Sequence, residues 1–97
     1  MKVIWTKKAI FRLEEIEDYI AASSPTRAIS FVSELMDQAD SLAKFPESGR
    51  IVPEDEMQTR RELIYEGYRI IYRIENTSIY ILSVFEGSRL IRVNDLK

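Results

Sequence analysis

The stretch Arg60-Arg61-Glu62-Leu63-Ile64-Tyr65-Glu66-Gly67-Tyr68-Arg69-Ile70-Ile71-Tyr72-Arg73-Ile74 decides the architecture. Two runs rich in β-branched and aromatic residues flank Glu66-Gly67, a pair suited to a tight hairpin turn because glycine accepts positive φ without steric cost. A two-residue turn fixes the register. Tyr65 then faces Tyr68, Ile64 faces Arg69, Leu63 faces Ile70, Glu62 faces Ile71, Arg61 faces Tyr72 and Arg60 faces Arg73. Side-chain alternation sorts these residues into two faces. One face carries Leu63, Tyr65, Tyr68, Ile70, Tyr72 and Ile74, with Arg61 at its margin, and is expected to lie under helices. The other carries Arg60, Glu62, Ile64, Arg69, Ile71 and Arg73. It is expected to be an exposed sheet face, with Glu62 bridging diagonally to Arg69 and Arg73 in an ion ladder. Arg60 directly opposite Arg73 is unfavourable unless an anionic partner is present.

Working outward, Glu75-Asn76-Thr77-Ser78 turns the chain into a further strand, Ile79-Tyr80-Ile81-Leu82-Ser83-Val84-Phe85. Gly87-Ser88 interrupts it, and Arg89-Leu90-Ile91-Arg92-Val93 reads as a last short strand or a turn of helix. On the other side of the hairpin, Arg50 to Gln58 is a polar loop with Pro53 and the acids Glu54, Asp55 and Glu56, for which Arg50 is the expected anchor. Before it, Phe45-Pro46-Glu47-Ser48-Gly49 ends a helix. That helix starts at Ser24-Pro25, an N-cap followed by proline at the first helical position, and runs to about Lys44. Ala28, Val32, Leu35, Ala39 and Leu42 form its apolar stripe, widened by Ile29, Phe31, Met36 and Ala43. An earlier helix starts at Lys7, with Ala9, Leu13, Ile16 and Ile20 on one face, and ends at Ala21-Ala22-Ser23. The short connection makes the two helices an antiparallel hairpin. Met1 to Thr6 reads as a first strand. The order is β-α-α-β-β-β, an α+β domain spanning residues 1–97, with the helical hairpin on one face of a mostly antiparallel sheet.

Composition narrows the chemistry. The 97 residues contain neither Cys nor His, which excludes thiol nucleophiles, triad hydrolases, zinc enzymes and His-based nucleases. No cofactor or metal is expected. The apolar run Val3-Ile4-Trp5 is soon followed by Lys7 and Lys8, so no signal peptide or membrane segment is expected, and the chain reads as a soluble cytoplasmic domain. Net charge is −2 and the isoelectric point about 5.2. Residues 50–97 carry eight basic and eight acidic groups, and seven of those bases are arginine. This half is arginine-rich without being basic, which argues against a broad non-specific nucleic-acid surface. Tyr65, Tyr68 and Tyr72 read as core or core rim rather than base-stacking groups.

Residues along nearly the whole chain resemble the RelE/ParE superfamily of toxins from type II toxin–antitoxin modules. They are Trp5-Thr6 with Ala9 and Leu13, Tyr19-Ile20, Ala28 with Phe31-Val32, Phe45-Pro46, Gly49-Arg50 and Val52-Pro53-Glu54. Arg61-Glu62-Leu63, Tyr68-Arg69-Ile70-Ile71-Tyr72-Arg73, and Val84 with Gly87 and Arg89 complete the series. The resemblance implies the same β-α-α-β-β-β fold and a partner antitoxin whose C-terminal segment wraps the toxin in a hetero-oligomer.

The superfamily has two branches. RelE-like members cleave mRNA in the ribosomal A site with a cluster of basic residues, whereas ParE-like members inhibit DNA gyrase through protein contacts. Carried over by position, Arg69 and Arg89 match the two arginines of the nuclease cluster. Its two lysine positions fall on Arg60 and Glu62, and its C-terminal tyrosine falls on Asp95. A glutamate there opposes the positive field that a phosphorane requires. The Arg61-Glu62-Leu63 pattern and the strand after the turn resemble the ParE branch, although ParE-like sequences often have His where Glu86 stands. The resemblance therefore implies a gyrase-binding inhibitor first. A ribosome-dependent nuclease using Arg60, Arg69, Arg73 and Arg89 is the second reading, and a homologue that has lost toxicity the third. Arg60, Glu62, Arg69, Arg73 and Arg89 are the candidates for target or antitoxin contact. Phe11 and Phe85, outside the assigned core faces, are candidates for contact with the antitoxin.

Overall fold

A computed structural model of the protein describes residues 1–88 and Leu96. Strand β1 (Lys2–Trp5) leads into helices α1 (Lys7–Ala21) and α2 (Pro25–Asp40), and a tight turn of helix over Ser41–Ala43 closes the second. Then come β2 (Arg50–Ile51), β3 (Arg60–Tyr65), β4 (Tyr68–Glu75) and β5 (Ser78–Glu86). The expected order holds with one addition. Arg50 and Ile51, read as the start of a loop, pair antiparallel with Glu62 and Arg61. The strands lie in the order β1-β5-β4-β3-β2, with β1 parallel to β5 and every other neighbouring pair antiparallel.

Local chemistry sets the boundaries. The Thr6 hydroxyl accepts from the Ala9 N–H at 3.2 Å and donates to the Ile81 carbonyl at 2.7 Å, so the residue that caps α1 also ties it to β5. Ser24 caps α2 through the Arg27 N–H at 3.2 Å, with Pro25 at the first helical position. In the hairpin turn, Glu66 and Gly67 both take positive φ, 50° and 80°, which matches the right-handed twist of the strands. All six expected pairs from Tyr65–Tyr68 to Arg60–Arg73 are present.

The main core lies between the helices and the sheet. Leu13 and Ile16 of α1 and Phe31, Leu35 and Ala39 of α2 pack with Leu42 on Ile70, Tyr72, Ile79, Ile81 and Val84. Phe31 lies 5.2 Å from the Tyr68 ring and 6.1 Å from that of Tyr65, so these tyrosines are packing groups. Of the residues expected to widen the α2 stripe, Phe31 enters the core while Ile29 and Met36 remain exposed. Among the described residues no helix is long and apolar enough to cross a membrane.

The far face of the sheet corrects an expectation. Val52, Ile71, Leu82 and Phe85 form a second, smaller core there, with Tyr80 and Leu96 at its border. The register of β4 on β5 shifts between Ile71 and Tyr72, which reverses the alternation along β5. Ile79 and Ile81 face the helices before the shift and Val84 after it, so Phe85 turns into the second core. Phe85, expected outside any core, is therefore buried. The expected strand or helical turn at 89–93 lies outside the described residues.

Candidate functional site

The second core is covered by a strap over residues 52–59, anchored at both ends. The Val52 N–H donates to the Arg60 carbonyl at 3.0 Å. The Asp55 carboxylate accepts from the backbone N–H groups of Met57, Thr59 and Arg60 at 3.2, 2.9 and 2.8 Å. Val52 pins the strap from below and is fully buried. The face expected to be exposed is thus closed at its centre, where Glu62 is 1% exposed, while Ile64 near the hairpin turn stays exposed as expected.

Glu62 is a buried carboxylate with two cationic partners. Its Oε1 accepts from Arg69 Nε at 2.6 Å and its Oε2 from Arg50 Nε at 2.6 Å. Arg69 turns its other two nitrogens to Glu54, with contacts of 3.0 and 2.9 Å in the bidentate arrangement that suits a guanidinium. The Phe85 ring lies under Arg69, 5.8 Å from its carbon centre. Two arginines and two glutamates make a cluster of zero net charge. Hydrogen bonds from Arg69 hold the Glu54 carboxyl below its usual range against a smaller opposing effect of burial. Burial pushes the Asp55 carboxyl up, but the three backbone N–H groups outweigh it and hold it low.

These depressed carboxyls set a pH dependence. Groups that ionise more readily in the folded chain contribute stability that is fully present above the ordinary carboxylate range, about pH 4 to 4.5. That contribution is lost as pH falls through their folded values. Urea midpoints are expected to be level from pH 7 to about 5 and to decline below pH 4, with a shallower decline in Asp55→Asn. An unchanged acid limb in that variant would show that the strap does not depend on the ionised Asp55.

Arg73 pairs with Glu75 at 2.7 Å and lies 5.7 Å from the Tyr80 ring, so the expected Glu62–Arg73 bridge is replaced by a bond within β4. Arg60 opposes Arg73 as expected, but its Nε donates to the Leu96 carbonyl at 2.7 Å and a terminal nitrogen to the Thr59 hydroxyl at 2.7 Å. Glu75 is thus the anion that relieves the opposed pair. Arg50 does not anchor the three strap acids through a hydrogen bond; it binds Glu62, while Glu54 is held by Arg69. Arg89 lies outside the described residues. Phe11 is 57% exposed on α1, which keeps it available to a partner, whereas Phe85 is buried behind Arg69.

Arg69 and Arg73 are four residues apart on β4, about 13 Å at the rise of an extended strand, so they do not form one cluster. Among the described residues no three metal-ligating side chains stand together. Sequence reasoning missed Glu54 as the partner of Arg69. The available signal was Ile51-Val52, two adjacent β-branched apolar residues at the start of an acidic loop, which need something to bury them.

A family model described as the ParE toxin of the type II toxin–antitoxin system parDE matches residues 3–91. The chain is 36% identical over 90 residues to the toxin RelE2 of Caulobacter vibrioides, covering 92% of this chain and 98% of that protein. Among solved structures, the chromosomal ParDE toxin–antitoxin system of P. aeruginosa matches with a TM-score of 0.75 at 27% identity, over 89% of this chain and 95% of that one. The RelBE2 toxin–antitoxin complex of Mycobacterium tuberculosis matches in fold with a TM-score of 0.66 at 22% identity, over 88% of each chain.

Proposed function

The chain belongs to the ParE toxin family of type II toxin–antitoxin systems, and from that premise we propose that it acts by protein–protein binding, inhibiting DNA gyrase until a cognate antitoxin covers it. The observation that carries this reading is the internal use of Arg69. A phosphoryl-transfer site needs cations free to meet a developing negative charge. Here the guanidinium is bound on all sides by Glu62 and Glu54, and Glu62 stands where the nuclease branch has a lysine. Bringing RNA phosphate to Arg69 would first require breaking a buried ion cluster. The acidic isoelectric point, about 5.2, also disfavours a ribosomal RNA surface.

The antitoxin reading is supported by what the helices leave uncovered. Ile10, Phe11 and Tyr19 on α1 and Ile29 and Met36 on α2 are large apolar side chains exposed on one helical hairpin. A segment that folds as it binds can cover such a surface. Phe11 leads this contact, and the complex is a hetero-oligomer.

Induced expression in cells tests the proposal. The expected result is filamentation with DNA-damage signalling while translation and message remain intact, together with inhibition of supercoiling by purified gyrase. Abrupt loss of translation with cleaved mRNA would overturn it in favour of the nuclease. Unimpaired growth would assign the chain to homologues that have lost toxicity.

A further inference from the structure

One pocket of mixed character lies outside the sites described so far. It opens between α1 and the Tyr68–Glu86 end of the β4–β5 ladder, beside the Glu66-Gly67 turn, with a volume of about 300 Å³, a size for a side chain rather than a cofactor. Ile16 and Val84 form an apolar floor, and the rings of Tyr19 and Tyr68 contribute to the lining. Glu86 stands beside Tyr68, exposed, and has no ion-pair partner among the described residues. At the α1 side, Arg12 and Glu15 neutralise one another at 2.8 Å, so the pocket keeps one negative charge, that of Glu86. Burial, then the nearby charge of Glu86, then Tyr19 push the Tyr68 phenol up, so it stays neutral.

The helix itself adds to this field. Tyr19 lies in the last turn of α1, which holds no basic residue. That is the negative end of the helix dipole, where carboxylates are disfavoured and a cation is favoured. Arg12 lines the pocket with its terminal nitrogen bound to Glu15 and its Nε buried, so it leaves no cation facing the opening. Phe11, Glu15 and Tyr19 follow one another at intervals of four, so they share one face of α1. A chain lying on exposed Phe11 therefore reaches the pocket along the same stripe.

We propose that this pocket receives a lysine or arginine side chain of the antitoxin segment that covers α1, its charge meeting Glu86 and its stem lying between the two tyrosines. The proposal rests on the antitoxin reading above and names the chemistry of one contact within it. A long cationic side chain gains from packing its stem on aromatic rings and from pairing its charge with a carboxylate. An anion would be repelled by Glu86, and an apolar side chain would cover that carboxylate without pairing it.

The test has two arms. The isotope-labelled full chain is titrated by NMR with Nα-acetyl-arginine amide and, as an uncharged isostere, Nα-acetyl-citrulline amide. Saturating shifts at Tyr19, Tyr68, Val84 and Glu86 are expected with the arginine probe. Affinity is expected to be about tenfold weaker for the citrulline probe, and for the arginine probe in Glu86→Gln. Equal response to both probes, or indifference to Glu86→Gln, overturns the pocket. In the second arm purified antitoxin is mixed with wild type and Glu86→Lys. The variant is expected to bind at least tenfold more weakly while still arresting growth. A wild-type complex that Glu86→Lys leaves unchanged overturns the pocket alone. Absence of any wild-type complex overturns the antitoxin reading and with it the named occupant.

Discussion

Replacing Arg69 by methionine is expected to lower the stability of the folded chain by about 3 kcal/mol, the lower end of the range for breaking a buried ion pair. The lower end applies because Glu62 would keep its bond to Arg50, whose side chain is 60% exposed and so only a partial substitute. Glu54 lies near the surface and can return to water. For a chain of this length the loss corresponds to a melting temperature lower by roughly 12–24 °C. The double variant Arg69→Met/Glu62→Met is expected to recover most of it. With both buried charges gone, methionine stems can pack on Phe85 and Ile71 in the second core. A double-mutant cycle measured by urea unfolding reads the coupling directly. A single variant within about 0.5 kcal/mol of wild type would mean that Glu62 and Arg69 are not bound to one another in solution. The same double variant separates the two functional readings. It keeps growth arrest if the arginine serves the fold, and loses it in a stable protein if the guanidinium serves catalysis.

Gly49→Ala is expected to cost a similar amount, about 3 kcal/mol, for a steric reason. A methyl group there would lie 2.6 Å from the Glu62 carbonyl oxygen and 2.6 Å from the Tyr72 hydroxyl. That hydroxyl is buried, accepting from the Gly49 N–H at 3.0 Å and donating to the Pro46 carbonyl at 2.7 Å. The methyl group must displace either the edge strand β2 or the phenol, and both movements leave buried polar groups unpaired. Tyr72→Phe isolates the hydrogen-bond share and is expected to lose about 1–2 kcal/mol. Combining the two changes should recover little, because the ring carbon at 2.7 Å and the Glu62 carbonyl still obstruct the methyl group. Thermal unfolding of the three variants checks this order. A Gly49→Ala protein as stable as wild type would place the β2 edge farther from Tyr72 than described.

The functional site was legible in part. Glu62 and Arg69 were recognisable as diagonal neighbours because the Glu66-Gly67 turn counts residues outward in register. What that counting could not supply was their burial. The loop acids were visible as a cluster, but no local periodicity says that Glu54 reaches Arg69 across 15 residues, or that Asp55 turns inward to hold its own strap. Phe85 was misplaced for a related reason. The shift between Ile71 and Tyr72 reverses its face, and a register shift is set by packing between strands rather than by the residues of one strand.

By itself the sequence determined the elements whose causes are local: two capped amphipathic helices, the hairpin with its six pairs, and the α+β order that follows from them. Only the tertiary structure decided that β1 lies parallel beside β5, that two residues of an acidic loop become an edge strand, and that the face behind the hairpin is closed at its centre. The reason is physical. Capping, turn geometry and side-chain period act over a few residues, whereas burial of Glu62 depends on the strap, β2, β4 and β5 meeting at one place. Whether an arginine beside it is free for phosphate or bound within the fold is a property of that meeting.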